Sequence, residues 1–377
     1  MTGGIRVLHV TDASSSGVLT AVTTIARQQS EDPRFSRVVF AYVMRPDSPA
    51  EEDIRTLAGP GVEVEKWSDS LSAGRLVALV RTLFARLRTE TFEVVHLHSS
   101  RAGLLGRWVA MLTPHRGRSI YSPHAFAFAY DHWSPSRRWL LWALEFVGLV
   151  AGRRLVLNSA SEQSVAQRAL PGARTAVLAN AVDVGRLRRI ERSTDRDRPW
   201  FAHVGRIAPA KAPDVFAEVT KVVADREPGV RGCWLGDGDR TLLGIENESI
   251  EVSGWLPREE LHRRLSTASA LLFTSRGEGM PMAVLEAQAM GIPVVASRVT
   301  GVVDLIDDGS NGLLGDSVGE LAEALTRVLT DPGLASDLSE RTASSAERFD
   351  QSTTAQRSLD CYSSLVPALT HRAETPT

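Results

Sequence analysis

Two glutamates with a spacing of eight residues, Glu278 and Glu286, flank the start of a short predicted helix. Gly279 lets the backbone bend before it, Pro281 suits the first helical position, and Gly291 suits the position after its end. The N-terminus of a helix presents N–H groups and the positive end of the helix dipole, which favour an anion such as phosphate. Carboxylates accept hydrogen bonds from hydroxyls. Phosphate and hydroxyls together indicate a nucleotide sugar.

Two basic residues follow an apolar strand in the same half of the chain. The strand at 200–204 leads into Gly205 and Arg206, and Lys211 lies in the loop that comes next. Arginine offers a forked donor and lysine a point charge, and a diphosphate lies after the first strand in sheets of this kind. The alternative is that these residues are ordinary surface charges. This alternative is less favoured for Arg206 than for Lys211, because Arg206 follows directly on an apolar strand.

The first half opens with the same pattern of strand, small polar loop and helix. The strand covers residues 5–10, the loop 11–17 and the helix 18–29. Ligands of doubly wound sheets bind at the carboxyl ends of strands, so backbone N–H groups up to Gly17 are candidates for ligand contact. An ordinary connecting loop is the alternative. The G-x-G-x-x-G pattern does not occur here, so a dinucleotide site is not supported.

Histidines and aspartates supply further candidates. His124 follows a short strand and reaches its carboxyl end, where it either contacts substrate or bonds to backbone. His96 and His98 share one face of a strand, which permits a metal pair, but packing or polar lining is favoured because no third ligand is nearby in sequence. Asp237 and Asp239 have the spacing of a divalent-metal motif, although the glycines around them favour a simple turn.

The length of 377 residues predicts two domains, each built on strand, loop and helix units. This pattern predicts an α/β protein with two doubly wound parallel sheets. The two cysteines, Cys233 and Cys361, form no disulfide framework, which fits a reducing compartment. We see no signal peptide and no apolar run of about 20 residues, so the sequence predicts a cytoplasmic protein that does not cross a membrane.

One segment of the first half, residues 137–154, combines a very apolar body with tryptophan and arginine at its basic ends. This composition is typical of a helix that lies at a membrane surface. A core helix with a charged entrance explains the same residues. Both interpretations remain open from the sequence.

Taken in order, these motifs resemble the GT-B glycosyltransferases of family 4, a large retaining group that uses nucleotide-sugar donors. The resemblance covers nearly the whole chain and is densest between 204 and 314. The matching motifs are Glu278 with Glu286, Gly205-Arg206 with Lys211, Gly236-Asp237-Gly238, Asn180 with Asp183, and Asn311 to Leu314.

The chain departs from the family pattern in two glycine-rich segments. Only Gly17 remains, after three serines, where adjacent glycines are common, and Gly301 follows Thr300 where the family has a glycine pair. The segments at 96–103 and 121–126 resemble bacterial polysaccharide-assembly members, which glycosylate lipid-linked acceptors.

The resemblance implies a GT-B architecture, in which two Rossmann-like domains face a cleft. Residues 1–183 and a C-terminal helix at about 351–377 form the acceptor-side domain, and residues 184–350 form the donor-binding domain. The resemblance implies that Glu286 binds the ribose hydroxyls of the donor and that Glu278 lies by the transferred sugar. The implied donor-binding residues are Gly17, Gly205, Arg206, Lys211, Gly279, Met280, Pro281, Met282 and Glu286, and the implied catalytic residues are His124, Arg206, Lys211 and Glu278.

The expected activity is retaining transfer of a hexose-type sugar, from a UDP-sugar, to a hydroxyl of a lipid-linked glycan precursor or a small natural product. No metal or other cofactor and no nucleic acid is expected. Peripheral contact with the inner face of the membrane through 137–154 would accompany a lipid-linked acceptor. Two alternatives remain: a nucleotide-sugar 2-epimerase of the same fold, and a catalytically silent GT-B module that only binds.

Overall fold

The computed structural model describes residues 4–69, 74–193, 199–244 and 249–369. The chain divides into two compact units: Met1–Ala129, Trp133–Ala181 and Gln351–Thr377 form the first, and Tyr130–His132 and Val182–Asp350 form the second. Each unit carries one parallel sheet, which confirms the predicted α/β class. The last residues of the predicted C-terminal helix, 370–377, lie outside the described part of the chain.

The first unit contains a seven-stranded parallel sheet with helices on both faces. Its strands are β1 (Ile5–Thr11), β2 (Phe35–Val43), β3 (Val62–Ser68), β4 (Val94–His98), β5 (Ser119–Ser122), β6 (Arg154–Leu157) and β7 (Arg174–Val177). Its helices are α1 (Ser16–Ser30), α2 (Glu51–Ala58), α3 (Gly74–Thr89), α4 (Ser100–Met111), α5 (Pro135–Ala151), α6 (Ala160–Ala169) and, from the end of the chain, α13 (Thr354–Leu365). The strand order is β3-β2-β1-β4-β5-β6-β7, so the winding reverses between β1 and β4.

The second unit contains a six-stranded sheet of the same kind. Its strands are β8 (Trp200–Val204), β9 (Arg231–Leu235), β10 (Ile250–Val252), β11 (Ala270–Phe273), β12 (Val294–Ser297) and β13 (Leu313–Gly315). Its helices are α7 (Val184–Arg188), α8 (Pro213–Arg226), α9 (Arg258–Leu265), α10 (Met282–Ala289), α11 (Val318–Thr330) and α12 (Pro332–Ser345). The order β10-β9-β8-β11-β12-β13 reverses between β8 and β11.

The central strands are buried on both faces, as parallel strands between two helical layers must be. In β1 the side chains of Val7, Leu8 and Val10 are all 0% exposed. Val7 packs in one apolar cluster, together with residues of α1 and α13, and Leu8 and Val10 pack in another on the opposite face. Each such fully buried aliphatic side chain contributes about 1.5–3 kcal/mol. His9, in the same strand, is also fully buried, and it belongs to the site described below.

Two predicted boundaries were wrong by a residue or two. Helix α1 begins at Ser16, so Gly17 lies in its first turn and not in the preceding loop. Pro281 precedes α10 with an extended ψ of 121°, and Met282 is the first helical residue. The sequence analysis also missed α2 and β3. In β3, a half-exposed edge strand, charged residues interrupt the apolar pattern.

Candidate functional site

Three loops meet at the carboxyl edge of the second sheet, beside the point where its winding reverses. They follow β8, β11 and β12, which are neighbours in the sheet. Ligands of open α/β sheets bind at such a reversal, outside the carboxyl ends of the strands. The loops carry most of the residues predicted to bind a donor.

Lys211 and Glu278 come together between two of these loops. Lys211 ends a short 3-10 turn after β8, and its Nζ lies 2.5 Å from Oε1 of Glu278. The two side chains are 26% and 14% exposed, and the ammonium also lies 5.4 Å from the ring centroid of Phe273. Because the pair is partly shielded from water, its charges interact more strongly than they would on the surface.

Glu286 lies on α10, 6% exposed, and is held by a basic residue and a histidine from α9. Its Oε1 is 3.2 Å from Nη2 of Arg258 and 3.2 Å from Nε2 of His262. Burial of Glu286 favours its protonated form. The hydrogen bond from His262 and the charge of Arg258 outweigh burial and lower the pKa of Glu286 to about 2. Glu286 is therefore an ionised acceptor at neutral pH.

The tautomer of His262 follows from a third partner. Nη2 of Arg186 lies 2.9 Å from Nδ1 of His262. Because arginine only donates, Nδ1 of His262 accepts, and the ring proton that faces Glu286 lies on Nε2. Arg186, Arg258 and His262 were missed in the sequence analysis, because they come from two other helices and share no motif with Glu286.

Gly301 supports the loop that carries Glu278. Its φ is +81°, and a Cβ there would lie 2.6 Å from the carbonyl oxygen of Glu278 and 2.7 Å from that of Gly279. In return the backbone N–H of Glu278 donates to the carbonyl of Thr300 at 3.1 Å. Only glycine fits this left-handed conformation and close approach. The segment therefore keeps the glycine that the geometry requires.

Gly205 and Arg206 pack against the turn after β9. The N–H of Gly205 donates to the carbonyl of Leu235 at 3.1 Å, and a Cβ on Gly236 would lie 2.0 Å from the carbonyl oxygen of Gly205. The half-buried Arg206 side chain places its guanidinium carbon 6.0 Å from the ring centroid of Trp255. The Gly236 motif thus fixes the loop that presents Arg206.

Asp237 and Asp239 form a turn, as the neighbouring glycines predicted. Asp237 accepts from the N–H of Gly238 at 2.9 Å and from Arg240 at 2.9 Å. Asp239 accepts from the backbone N–H of Thr241 at 3.2 Å and caps a 3-10 turn. These bonds to the protein account for both carboxylates.

In the first unit, Gly17 is exposed in the first turn of α1, at the carboxyl end of β1. Ser14 and Ser15 bond back to the protein: Ser14 Oγ donates to the carbonyl of Val43 at 2.8 Å, and Ser15 Oγ donates to Asp47 at 2.7 Å. Ser15 does not cap α1 with its side chain. Ser14 and Ser15 therefore fix the loop, which presents the N-terminus of α1.

His124 follows β5 in a left-handed conformation, with φ of +56°, and Ala125 after it has φ of +98°. Such values are costly for residues with a Cβ and occur where surrounding structure imposes them. Here Glu162 imposes them, since its carboxylate accepts from the N–H of Ala125 at 2.8 Å and from that of Asn158 at 2.7 Å. The structure thus holds His124 in a fixed, strained place at the sheet edge.

His124 is one end of a hydrogen-bonded chain of histidines. Its Nε2 lies 3.0 Å from Nδ1 of His98, and Nε2 of His98 lies 3.0 Å from Nδ1 of His9. His96 stands beside them, with its ring nitrogens 2.9 Å from the hydroxyl of Tyr362 and 2.8 Å from Oγ of Ser122.

These rings are neutral at physiological pH. Burial lowers the pKa of His9 to about 4 and that of His124 to about 4, and it places those of His96 and His98 well below the usual value. The cluster His9, His96 and His98 has the ligand number of a metal site, with nitrogens within 4.8 Å of one another. Every ring nitrogen of the three already has a protein partner, so hydrogen bonding accounts for their grouping.

Helix α5 packs one side in the core and exposes the other. One side is anchored in the core, where Glu145 bonds to Arg107 at 2.9 Å and to the hydroxyl of Tyr121 at 2.8 Å. The other side exposes large apolar residues, namely Trp139, Leu140, Leu144, Phe146, Val147 and Val150. Across the described ranges of the chain we find no helix long and apolar enough to span a bilayer.

Two family models match the chain. The model described as "Glycosyltransferase Family 4" matches residues 15–186, and the model described as "Glycosyl transferases group 1" matches residues 198–331. Together they cover the second sheet and all of the first sheet except β1.

The chain is also similar to named glycosyltransferases of other bacteria. It is 30% identical to a D-inositol 3-phosphate glycosyltransferase of Actinosynnema mirum over 381 residues, which cover 92% of this chain and 90% of that protein. It is 27% identical, over 66% of this chain and 70% of the relative, to the Escherichia coli UDP-Gal:alpha-D-GlcNAc-diphosphoundecaprenol alpha-1,3-galactosyltransferase.

Solved structures match the fold of both units. The sucrose-phosphate synthase of Thermosynechococcus elongatus has a TM-score of 0.80 at 17% identity, covering 96% of this chain and 100% of that one. Anabaena HepE in complex with UDP and glucose has a TM-score of 0.73 at 18% identity, with the same coverage. These likenesses confirm the GT-B fold, and with the match to the Actinosynnema relative they show that the chain belongs to the family 4 glycosyltransferases and is a glycosyltransferase.

Proposed function

We propose that this enzyme transfers a hexose-type sugar from a UDP-sugar to an acceptor hydroxyl with retention of configuration and without a metal. The observation that carries the proposal is the contact between Lys211 and Glu278 beside the N-terminus of α10. It joins a cation suited to a diphosphate and a carboxylate suited to sugar hydroxyls at one sheet edge.

The reaction develops charge that this site is suited to stabilise. Breaking the sugar–phosphate bond gives the sugar oxocarbenium character and leaves negative charge on the diphosphate. Lys211, Arg206 and the N–H groups at the start of α10 are fixed cationic or dipolar groups that stabilise such charge without rearranging. The departing phosphate then takes the proton of the incoming hydroxyl, so no side-chain nucleophile is required.

Residues can also be assigned to the ribose, the transferred sugar and the diphosphate of the donor. Among the described residues, the contacts of the Glu286 carboxylate with Arg258 and His262 use Oε1, and we assign Oε2 to the ribose hydroxyls. Glu278 and the backbone N–H groups from Gly279 to Met282 are assigned to the transferred sugar. In the first unit, Gly17 is assigned to the diphosphate and His124 to the reacting sugar.

The nucleotide and acceptor are proposed from the relatives. Anabaena HepE was solved with UDP and with UDP-glucose, and the E. coli relative uses UDP-Gal and a diphosphoundecaprenol-linked acceptor. The Actinosynnema relative acts on D-inositol 3-phosphate. A lipid-linked glycan precursor and a small polyol or natural product are thus the two acceptor classes to test.

A thermal-shift series with UDP, GDP, ADP and dTDP tests the donor. A ligand that binds only the folded state raises its stability by about 2.7 kcal/mol at 100 times its Kd. We expect UDP to raise the melting temperature more than the other three. A larger shift with another nucleotide would replace UDP in the proposal.

Product analysis then tests the reaction. Incubation with the identified nucleotide sugar and each acceptor class should release nucleotide and form an α-linked product from an α-linked donor. Free sugar formed at the same rate without any acceptor would favour the epimerase. A donor that binds but is not consumed with any acceptor would favour the silent module.

We further propose that the exposed side of α5 contacts a membrane surface. Trp139 and Val150 are each 65% exposed, and the side bearing them lies between Arg137 near the start of α5 and Arg153 just after its end. Apolar residues flanked by arginines are typical of helices that bind anionic lipid interfaces.

Vesicle co-sedimentation tests this contact. The double variant Trp139→Ser/Val150→Ser should lose binding to vesicles that contain anionic lipid, because it removes apolar area from the contact. Val77→Ser is the matched control, since Val77 is 59% exposed on α3. Equal sedimentation of the double variant and the control would remove α5 from the proposal.

A further inference from the structure

The histidine chain of the first unit has Gln29 at one end and His124 at the other. Oε1 of Gln29 lies 2.8 Å from Nε2 of His9, and His98 links His9 to His124 through contacts of 3.0 Å each. Gln29, His9 and His98 are 0% exposed, whereas His124 keeps part of its surface exposed. The chain therefore runs from the core to the sheet edge.

The orientation of the Gln29 amide is fixed by α13. Its Nε2 lies 3.0 Å from Oγ of Ser358 and 3.0 Å from the hydroxyl of Tyr362. The single hydroxyl proton of Ser358 is donated to the carbonyl of Ala355 at 2.9 Å. Ser358 can therefore only accept from Gln29, so the NH₂ group faces α13 and the oxygen faces His9.

This orientation fixes the proton on each ring in turn. His9 must donate to Gln29 from Nε2, which leaves its Nδ1 unprotonated because the buried ring is neutral. His98 then donates from Nε2 to that Nδ1, and its own Nδ1 accepts from Nε2 of His124. A neutral His124 consequently carries no proton on Nδ1.

A second acceptor competes at the other end of the chain. Nδ2 of Asn158 donates to Asn180 at 2.9 Å and to the carbonyl of Leu178 at 3.3 Å, so its Oδ1 is an acceptor. Within the described ranges, this buried Oδ1 has no well-formed hydrogen bond. Asn158 nevertheless lies close enough to His124 for a hydrogen bond that would raise the pKa of the ring, against the larger lowering by burial. Without Gln29, a proton on Nδ1 of His124 would satisfy Asn158.

We propose that Gln29 is a positioning residue for His124: it holds the histidine chain in the tautomer in which His124 is protonated at Nε2 and unprotonated at Nδ1, and so fixes the ring that the proposed function assigns to the reacting sugar. The role of His124 towards substrate rests on the proposed function, whereas the tautomers of the three histidines follow from the hydrogen-bond network alone. NMR tests the tautomers, and kinetics test the role towards substrate.

Long-range ¹H–¹⁵N NMR of the full-length protein labelled with ¹⁵N-histidine tests the tautomers, since protonated and unprotonated ring nitrogens have well-separated shifts. In the wild-type protein at pH 7.5, His9, His98 and His124 should each be protonated at Nε2 only. A proton on Nδ1 of His124 in the wild type would overturn the proposal, and this result needs no variant. Ring shifts that move on addition of zinc would overturn it in favour of a metal site.

Gln29→Met removes the anchor, and His124 should then carry its proton on Nδ1, facing Asn158. Tyr362→Phe is the internal control: it removes a partner of His96 but leaves Ser358 to orient Gln29, so the tautomer of His124 should not change. Gln28→Met is the matched surface control, because Gln28 bonds to Glu31 on the surface and not to the histidine chain.

Kinetics with the donor and acceptor identified above test the functional part. Gln29→Met should lower kcat/KM by about 10–100-fold, as loss of an orienting partner does. In a His124→Ala background the same change should cost nothing further, because both act through one ring. Additive losses would show a merely structural role for Gln29.

The two parts fail differently. If the wild-type tautomers are as stated but His124→Ala keeps full activity, the assignment of His124 to substrate fails and the tautomer chain stands. If His124→Ala is inactive but Gln29→Met changes neither tautomers nor kcat/KM, the positioning role fails and the proposed function stands.

Discussion

In both sheets, buried polar residues lie where the winding reverses, but they are stabilised by different kinds of partner. At the reversal between β8 and β11, charged groups pair: Lys211 with Glu278, and Arg258 with Glu286. At the reversal between β1 and β4, neutral rings pair with one another, as His9 does with His98. The same fold thus supports one charged and one uncharged polar site.

The difference follows from the partners that each side chain has. A buried carboxylate stays ionised when a cation and a hydrogen-bond donor face it, which is why the pKa of Glu286 falls to about 2. A buried histidine without a carboxylate partner loses its proton, which is why the pKa of His9 falls to about 4. The charged site suits a leaving diphosphate, and the neutral site suits hydroxyls.

The largest effect should come from Lys211→Ala, which removes a cation from the charged site. We expect kcat to fall by about 10²–10³-fold, as for removal of one preorganised stabilising group. Arg206→Ala should behave alike. Lys221→Ala, at an exposed position of α8, is the matched control.

Steady-state kinetics at saturating donor measure the kcat of each variant. Near wild-type turnover in both Lys211→Ala and Arg206→Ala would remove these residues from the leaving-group role and weaken the contrast between the two sheets. An equal loss in Lys221→Ala would point to a general effect of positive charge.

Sequence reasoning found the charged site better than the neutral one, and for physical reasons. Gly205, Lys211 and Glu278 lie in loops that follow strand ends, and Glu286 lies in the helix after such a loop, so spacing along the chain indicates their placement. The histidine chain joins β1, β4, the loop after β5 and α1, and its anchor depends on α13. Local spacing cannot show contacts between residues 29 and 358, although polar residues inside apolar strands were a signal that could have found them.

A smaller effect should appear in acid, where the two units should lose stability at different pH. Unfolded histidine binds a proton near pH 6.5, but folded His9 only near 4, so the unfolded chain binds more protons in between. The free energy of unfolding should therefore fall as pH falls from about 6.5 to 4, by about 3 kcal/mol for His9 alone. Glu286 has a folded pKa of about 2 against 4.5, so its contribution is lost only below about pH 4.5.

Hydrogen exchange at pH 7.5 and 5.0, corrected for intrinsic rates, measures this difference segment by segment. Protection of β1 and β4 should fall more than that of β8 and β11. The second unit has one histidine of the same kind, His203, with a pKa of about 3 because of burial. His203→Phe should reduce the loss of protection in the second unit across this window, and equal losses in both units of the wild type would contradict the comparison.

The smallest effect should come from Arg258→Met, which takes one partner from Glu286 and leaves His262 in place. Loss of the arginine charge should raise the pKa of Glu286, but the hydrogen bond from His262 should keep it ionised at neutral pH. If Glu286 holds the ribose, the contact is the same in the ground and transition states, so KM for the donor should rise about tenfold with kcat unchanged. Arg263→Met on the same helix is the control, since Arg263 is exposed and pairs with Glu260 and not with Glu286. A fall in kcat instead would mean that Glu286 acts on the developing charge, and the ribose would need another ligand.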